Sequence, residues 1–404
     1  MHARESADAA VAYFREFHPQ RPTLINVSRL AARARIFAFE YMGAEASARQ
    51  AVELSRNQKA ASAAWLVGTL ADLGEVQWLQ LKIEDAERSY RESVATSLKA
   101  NGEDHPETLT SKIKLASLLL QTGRRDEGEA LVKEVQARLD RPDSKISPGR
   151  IASIQGILAS TRFDLGRPGE AEQATAADVD DLRATFPNSG TLASRHRRLA
   201  EIKIALGRYD EAERQLQLGE EVWRRFAGAD RPAAGDQWFA LTRARLLNAR
   251  GDAVAALREL ETIPAPSTSA ANVQSIAIFA DIERAQAAVQ AGDARLGVVA
   301  GQRAVEALSH LAAGRLPVIE ARALTAVGRA HAAQGNTGAA RAALLRAVEL
   351  HAAAGDPLGL WSAETKSELA RVLAASDPPR SRSLLSAAAE IRRAHSAGRD
   401  GGRR

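Results

Sequence analysis

Apolar residues recur three and four positions apart along almost the whole chain, and strand-type alternation is nearly absent. Such spacing lays one apolar stripe along an α-helix, so the pattern predicts helix nearly everywhere. The stripes come in pairs. Ala116–Val135 runs A-S-L-L-L-Q-T-G-R-R-D-E-G-E-A-L-V-K-E-V, and Ala200–Gly219 runs A-E-I-K-I-A-L-G-R-Y-D-E-A-E-R-Q-L-Q-L-G. Each joins two amphipathic stretches through a Gly-Arg turn, with a small residue on either side. The turn residue returns at Gly43, Gly123, Gly166, Gly207, Gly251, Gly292 and Gly335. Leu81 and Asp377 fill the two remaining places, and the spacings run between 38 and 44 residues. A fixed period in this range marks a stacked-repeat protein, in which each unit contacts only its neighbours.

Proline placement agrees with the period. Pro106, Pro142, Pro148, Pro187, Pro232, Pro264, Pro266, Pro317 and Pro357 fall between units, while Pro168, Pro378 and Pro379 fall in turns inside them. None is required in a helix interior, where it would cost about 3 kcal/mol. Ser147-Pro148 and Asp356-Pro357 read as helix starts, a capping side chain followed by a proline. An all-α solenoid of about nine antiparallel helix pairs follows. The pairs cover roughly 24–58, 62–100, 106–140, 148–185, 190–227, 235–262, 270–311, 316–353 and 358–396.

The expected organisation is a capping helix within 1–23, with Val11, Phe14 and Phe17 on one face, then repeats one to six over 24–262. A flexible joint at 263–269 lies in T-I-P-A-P-S-T-S-A, after a short second helix near 252–261. Repeats seven to nine occupy 270–396, and a disordered basic tail occupies 397–404.

Composition narrows the function classes. Of 404 residues, 55 are basic and 50 acidic, giving a net charge of +5, and the charges are interspersed. Solvated helix faces look like this, whereas a nucleic-acid binder gathers its cations in one stripe, so no nucleic acid is expected. The chain has no cysteine, which excludes disulfides, thiolate metal sites and cysteine nucleophiles. The first ten residues lack the apolar core of a signal peptide, and no apolar run is long enough to span a bilayer, so a cytoplasmic chain is expected.

The units resemble tetratricopeptide repeats, in which small residues let the paired helices approach. The second pair matches at Leu73-Gly74, Ala86, Tyr90 and Ser93, and the third at Leu115-Ala116, Leu119, Gly123, Gly128 and Val132. The fifth matches at Leu199-Ala200, Gly207, Ala212 and Leu216, and the eighth at Val327-Gly328, Gly335, Ala340, Leu344 and Ala347. The long period and N-G-E-D-H-P-E-T at 101–108 are similar to the kinesin-light-chain type found in bacterial signalling proteins. The resemblance implies a right-handed superhelix whose first helices line a concave groove. It also implies a non-enzymatic scaffold binding a peptide or helix there, with sensing for a kinase or transcription activator encoded elsewhere as the alternative.

Carried onto this chain, the inward positions are Arg33, Phe37 and Tyr41, then Glu75 and Trp78. The middle units supply Ile113, Gln121, Phe163, Arg197 and Glu201. The later units supply Trp238, Arg245, Asn248, Phe279, Gln286, Arg322 and Arg329. Aromatics beside arginines are the types that dominate binding hot spots. Arg245 and Arg329 point to an acidic partner. Asn248 alone stands where the long repeat type has an asparagine ladder, and no Lys/Asn carboxylate clamp occurs.

No nucleotide-binding, nucleophile-elbow or zinc-protease motif is present, so no catalytic residue, cofactor or metal is expected. Asp178, Asp180 and Asp181 read as a solvated helix end. Arg195, His196, Arg197 and Arg198 point in four directions on a helix, and His105 reads as a turn residue.

Overall fold

A computed structural model describes residues 2–19, 21–37, 40–57, 63–141, 146–228, 233–266, 275–355 and 359–397. The described residues form nineteen α-helices and no strand. Helix α1 (His2–Phe17) precedes nine pairs: α2 (Thr23–Phe37) with α3 (Tyr41–Asn57), α4 (Ala63–Leu79) with α5 (Ile83–Asn101), and α6 (Pro106–Gln121) with α7 (Arg125–Leu139). Next come α8 (Pro148–Asp164) with α9 (Pro168–Thr185), α10 (Gly190–Ala205) with α11 (Tyr209–Ala227), and α12 (Ala233–Arg250) with α13 (Ala253–Leu260). The last are α14 (Ser275–Gln290) with α15 (Ala294–Ala312), α16 (Pro317–Ala333) with α17 (Thr337–Ala353), and α18 (Leu360–Leu373) with α19 (Pro378–Ala397). The two helices of each pair pack together and each pair contacts the next, pairs three and four through α6 and α8, as a repeat solenoid requires.

The turn inside each pair has a single chemistry. Gly123, Gly166, Gly207, Gly251, Gly292 and Gly335 all take φ between 72° and 88°, a region open to glycine at no steric cost. The following N–H reaches back five residues, as Asp252 does to Leu247 O, closing the first helix with a Schellman-type cap. In three units the next residue then starts the second helix. Asp252, Asp293 and Asn336 accept the N–H of Ala255, Leu296 and Ala339. Prolines 106, 148, 168 and 317 each occupy the first turn of a helix.

Small residues set the helix spacing. A Cβ on Gly74 would stand 2.6 Å from the Tyr90 ring, and one on Gly328 2.5 Å from Leu344. Ala86, Ala212 and Ala340 are fully buried on the opposing helices.

The first turn departs from the sequence expectation. Gly43 lies inside α3, so the turn of pair one falls before Tyr41, and Tyr41 opens the second helix of the pair. On α1, Val11 and Phe14 are half-buried while Phe17 is exposed. Of the joint at 263–269, Ile263 is buried and its carbonyl accepts from Arg284, while 267–269 lie outside the described residues. The basic tail from 398 onward lies outside them as well.

The expectation that units contact only their neighbours fails. One apolar cluster joins Leu81, Tyr90 and Leu118 of pairs two and three to Ile278, Leu308 and Leu316 of pairs seven and eight. A second joins Leu109, Leu158 and Leu165 to Val318 and Ala354. Farther along, Leu360 N donates to Gly166 O at 2.8 Å, and Arg315 pairs with Glu84, 231 residues away in sequence. The superhelix therefore coils until the turns of pairs two to four meet the linkers around pairs seven to nine. Coil pitch produces this seam, and no local pattern encodes it.

Candidate functional site

The coil turns the first helix of every pair inward, and four successive inner helices each supply one charge, of alternating sign. Glu201 on α10, Arg245 on α12, Glu283 on α14 and Arg322 on α16 follow one another along the interior. Arg245 donates to Glu201 at 2.5 Å and to Glu283 at 2.9 Å. Arg322 lies 3.7 Å from Glu283 and places its guanidinium 4.5 Å from the centre of the Trp361 ring on α18. This is a ladder with one rung per repeat, so it ties pairs five to nine together through their inner helices.

Glu201 is its anchor. It also accepts from Arg197 at 2.9 Å, from Arg198 at 3.1 Å and from the Thr242 hydroxyl. Burial would raise its carboxyl, but Arg197, Arg245 and Arg198 overcome that and hold it down at about 2. Arg197 is less well matched. Burial, only partly offset by Glu201, lowers its guanidinium to about 10, and its plane lies 4.9 Å from the centre of Trp238.

Around the ladder the interior narrows. A trench of about 310 Å³ is lined by Glu75, Trp78, Lys114, Gln121, Asp164 and Arg195. Beyond it lie two cavities of about 150 and 160 Å³ that share Phe163, Glu201, Arg245 and Arg322. The first reaches back to Trp78 and Gln121 and takes in Arg197, Trp238 and Phe279. The second extends to Gln286, Arg329, Trp361 and Glu364.

No protein-family model matches the chain, and no curated protein matches it. Solved structures do. The structure of Rap protein complexed with competence and sporulation factor superposes with a TM-score of 0.50 at 12% identity, covering 92% of this chain and 100% of that one. The fold is a tetratricopeptide-like repeat solenoid. Lower scores relate it to two others. A signal transduction ATPase with numerous domains, carrying a tetratricopeptide repeat sensor, from Pyrococcus horikoshii scores 0.42 at 14% identity. That match covers 85% of this chain but about half, 52%, of the ATPase. BtubC from P. vanneervenii scores 0.39 at 18% identity, covering 55% of this chain and 89% of BtubC.

The tetratricopeptide-like register brings ten of the expected inward residues to the trench and cavities: Glu75, Trp78, Gln121, Arg197, Glu201, Trp238, Arg245, Gln286, Arg322 and Arg329. Four others fall elsewhere. Arg33 is exposed on α2, within electrostatic reach of Glu75 at the trench, and the Phe37 side chain lies outside the described residues. Tyr41 is buried at the start of α3, because the first turn precedes it. Asn248 is buried against the next repeat, donating to Glu283 O at 3.2 Å. Ile113 belongs to the core, while Phe163 and Phe279 both face the interior.

The arginines expected to attract acid are already engaged. Arg245 holds two carboxylates, and Arg329 pairs with Glu364 and Glu368. Asp178 is buried on Arg195 rather than solvated. Arg195 and His196 reach Asp178 and Gln215, whereas Arg197 and Arg198 converge on Glu201, Arg198 also holding Asp164. His105 caps α6, accepting from the Glu107 N–H at 3.2 Å.

Sequence reasoning missed Asp164, Arg198, Glu283, Trp361 and Glu364. No single repeat position carried the signal: Glu201 and Arg245 stand six residues before their turn glycines, but Glu283 stands nine and Arg322 thirteen before theirs, so the charges line up only after coiling. Among the described residues no group of three side chains could hold a metal, and no helix is long and apolar enough to cross a membrane.

Proposed function

We propose that the chain is a non-catalytic interaction and regulatory protein that receives an extended segment of a partner protein along its inner trench. The observation that carries this is the convergence of Trp78, Gln121, Lys114 and Arg195, from three different repeats, on one recess of about 310 Å³. An aromatic anchor beside positioned charges is the composition of a binding hot spot. A helical ligand does not fit this reading, because a helix with its side chains is about 10–12 Å across. The Rap protein of like fold is held in complex with competence and sporulation factor, so a solenoid of this coil takes a partner.

The segment carries acidic residues in this reading. Lys114, Arg195 and Arg198 line the trench against Glu75 and Asp164, and the surplus attracts an anion. Output goes through the partner, since no catalytic constellation lies at the trench.

The test starts from a partner recovered from native lysate and then compares Trp78→Ala with wild type by titration. The expected loss is about 2 kcal/mol or more, with circular dichroism unchanged. The association rate falls as salt rises. Full affinity in the Trp78 variant would move the site to the outer face.

A further inference from the structure

Arg322 stands out among the interior arginines. It lines both inner cavities, and its guanidinium meets only two groups among the described residues: Glu283 at 3.7 Å and the face of Trp361. It makes no hydrogen bond there, although a guanidinium has five N–H donors. Its neighbours on the ladder are bonded: Arg245 to two carboxylates and Arg329 to two more. Trp361 is itself incomplete, since its indole N–H is buried without a partner. The Arg322 side chain keeps 17% of its surface open, so its unspent donors can meet an acceptor that enters either cavity.

The rest of the wall says what the acceptor is attached to. In the first cavity, which Arg322 lines and Trp361 does not, Leu81, Ile278, Phe279, Leu308, Leu316 and Ile319 form an apolar wall beside the charged groups. Its volume is about 150 Å³. An apolar cavity near this size takes a benzene-sized body. The seam closes this side, because Leu81 and Leu316 belong to one cluster.

We propose that the inner cavity is a binding site for a small organic carboxylate with a compact apolar body. The carboxylate accepts a bidentate pair of hydrogen bonds from Arg322, the geometry for which a planar guanidinium is suited. The apolar body lies against Leu316, Ile319 and Phe279. The bound acid neutralises the surplus cation and bridges α16 to the seam, so it stabilises the coiled state by mass action. A free small acid is the occupant, because a chain terminus would also have to bring its backbone into a space sized for one ring.

Benzoate is the probe, followed by calorimetry and by thermal melting of the full chain. Saturable one-to-one binding is expected, with a melting temperature that climbs with benzoate. Loss of the charge-assisted bonds makes benzamide, the neutral isostere, about tenfold weaker or worse. Arg322→Gln loses benzoate by a similar factor, and its melting temperature no longer climbs with benzoate. Arg322→Lys, which keeps the charge without the fork, falls between. Four results would overturn the site: no saturation, equal response to benzamide, phosphate matching benzoate, or undiminished binding in Arg322→Gln. Binding of a peptide ending in phenylalanine but not of benzoate would overturn the small-acid assignment.

Discussion

Leu81 takes φ 58° at a turn where six other repeats place glycine. A left-handed leucine costs about 1–2 kcal/mol, so something must offset it. The side chain does so, since it is buried in the seam with Leu308 and Leu316. Leu81→Gly relieves the backbone but removes a buried leucine, a loss of about 2–5 kcal/mol for side-chain truncation, so net destabilisation is expected. Hydrogen exchange should quicken at 311–317 as well as beside residue 81. Faster exchange at the turn alone would mean the seam does not depend on Leu81. Glu201 offers a second test at this scale. Its folded carboxyl is held at about 2 against an ordinary 4.5. The sign is therefore that its stabilisation is complete above 4.5 and drains away as pH falls toward 2. Glu201→Gln leaves Arg197, Arg198 and Arg245 short of a partner and should cost about 3–5 kcal/mol at neutral pH. Acid melts should show wild type losing stability between pH 4.5 and 2 more steeply than the variant.

At the scale of elements, each repeat depends on one small residue per helix crossing. Ala212 on α11 is fully buried, whereas Glu213 is only half-buried and its carboxylate reaches Arg250. Ala212→Leu should overpack the crossing by about 1–3 kcal/mol. Glu213→Ala should stay within about half a kcal/mol of neutral, as surface ion pairs contribute little. Equal urea midpoints for the two would refute the register. The caps make a finer comparison. Asp293 accepts the Leu296 N–H, while Arg124 at the matching place of pair three caps nothing. Asp293→Ala should cost about 1 kcal/mol and Arg124→Ala less, read from chemical denaturation. These differences are local, which is why turn glycines, caps and the two-helix period were all legible in the chain. Pair one was misread because Gly43 matches the period while sitting inside a helix, packed against the Arg35 side chain.

At the scale of the molecule, the coil meets itself, and this changes how its parts should behave when cut. Fragments 1–262 and 270–404 should each keep helical circular dichroism, because each retains neighbouring-pair contacts. Mixed, they should reassociate through Leu81 with Leu316 and Gly166 with Leu360, and melt higher than either alone. A mixture that melts as the sum of its parts would rule the seam out. Periodicity, small residues and punctuation by themselves determined an all-α array of nine pairs, because each of these acts within about forty residues of chain. The resemblance to tetratricopeptide repeats implied which helix of each pair turns inward, and ten of the residues it named line the trench and cavities. The tertiary structure alone decided that the groove is narrowed into small cavities, that its arginines are bound in a ladder, and that Arg322 is left with donors to spare. Each of those depends on the angle accumulated over several repeats and on charges that meet only after coiling, quantities to which no single stretch of sequence has access.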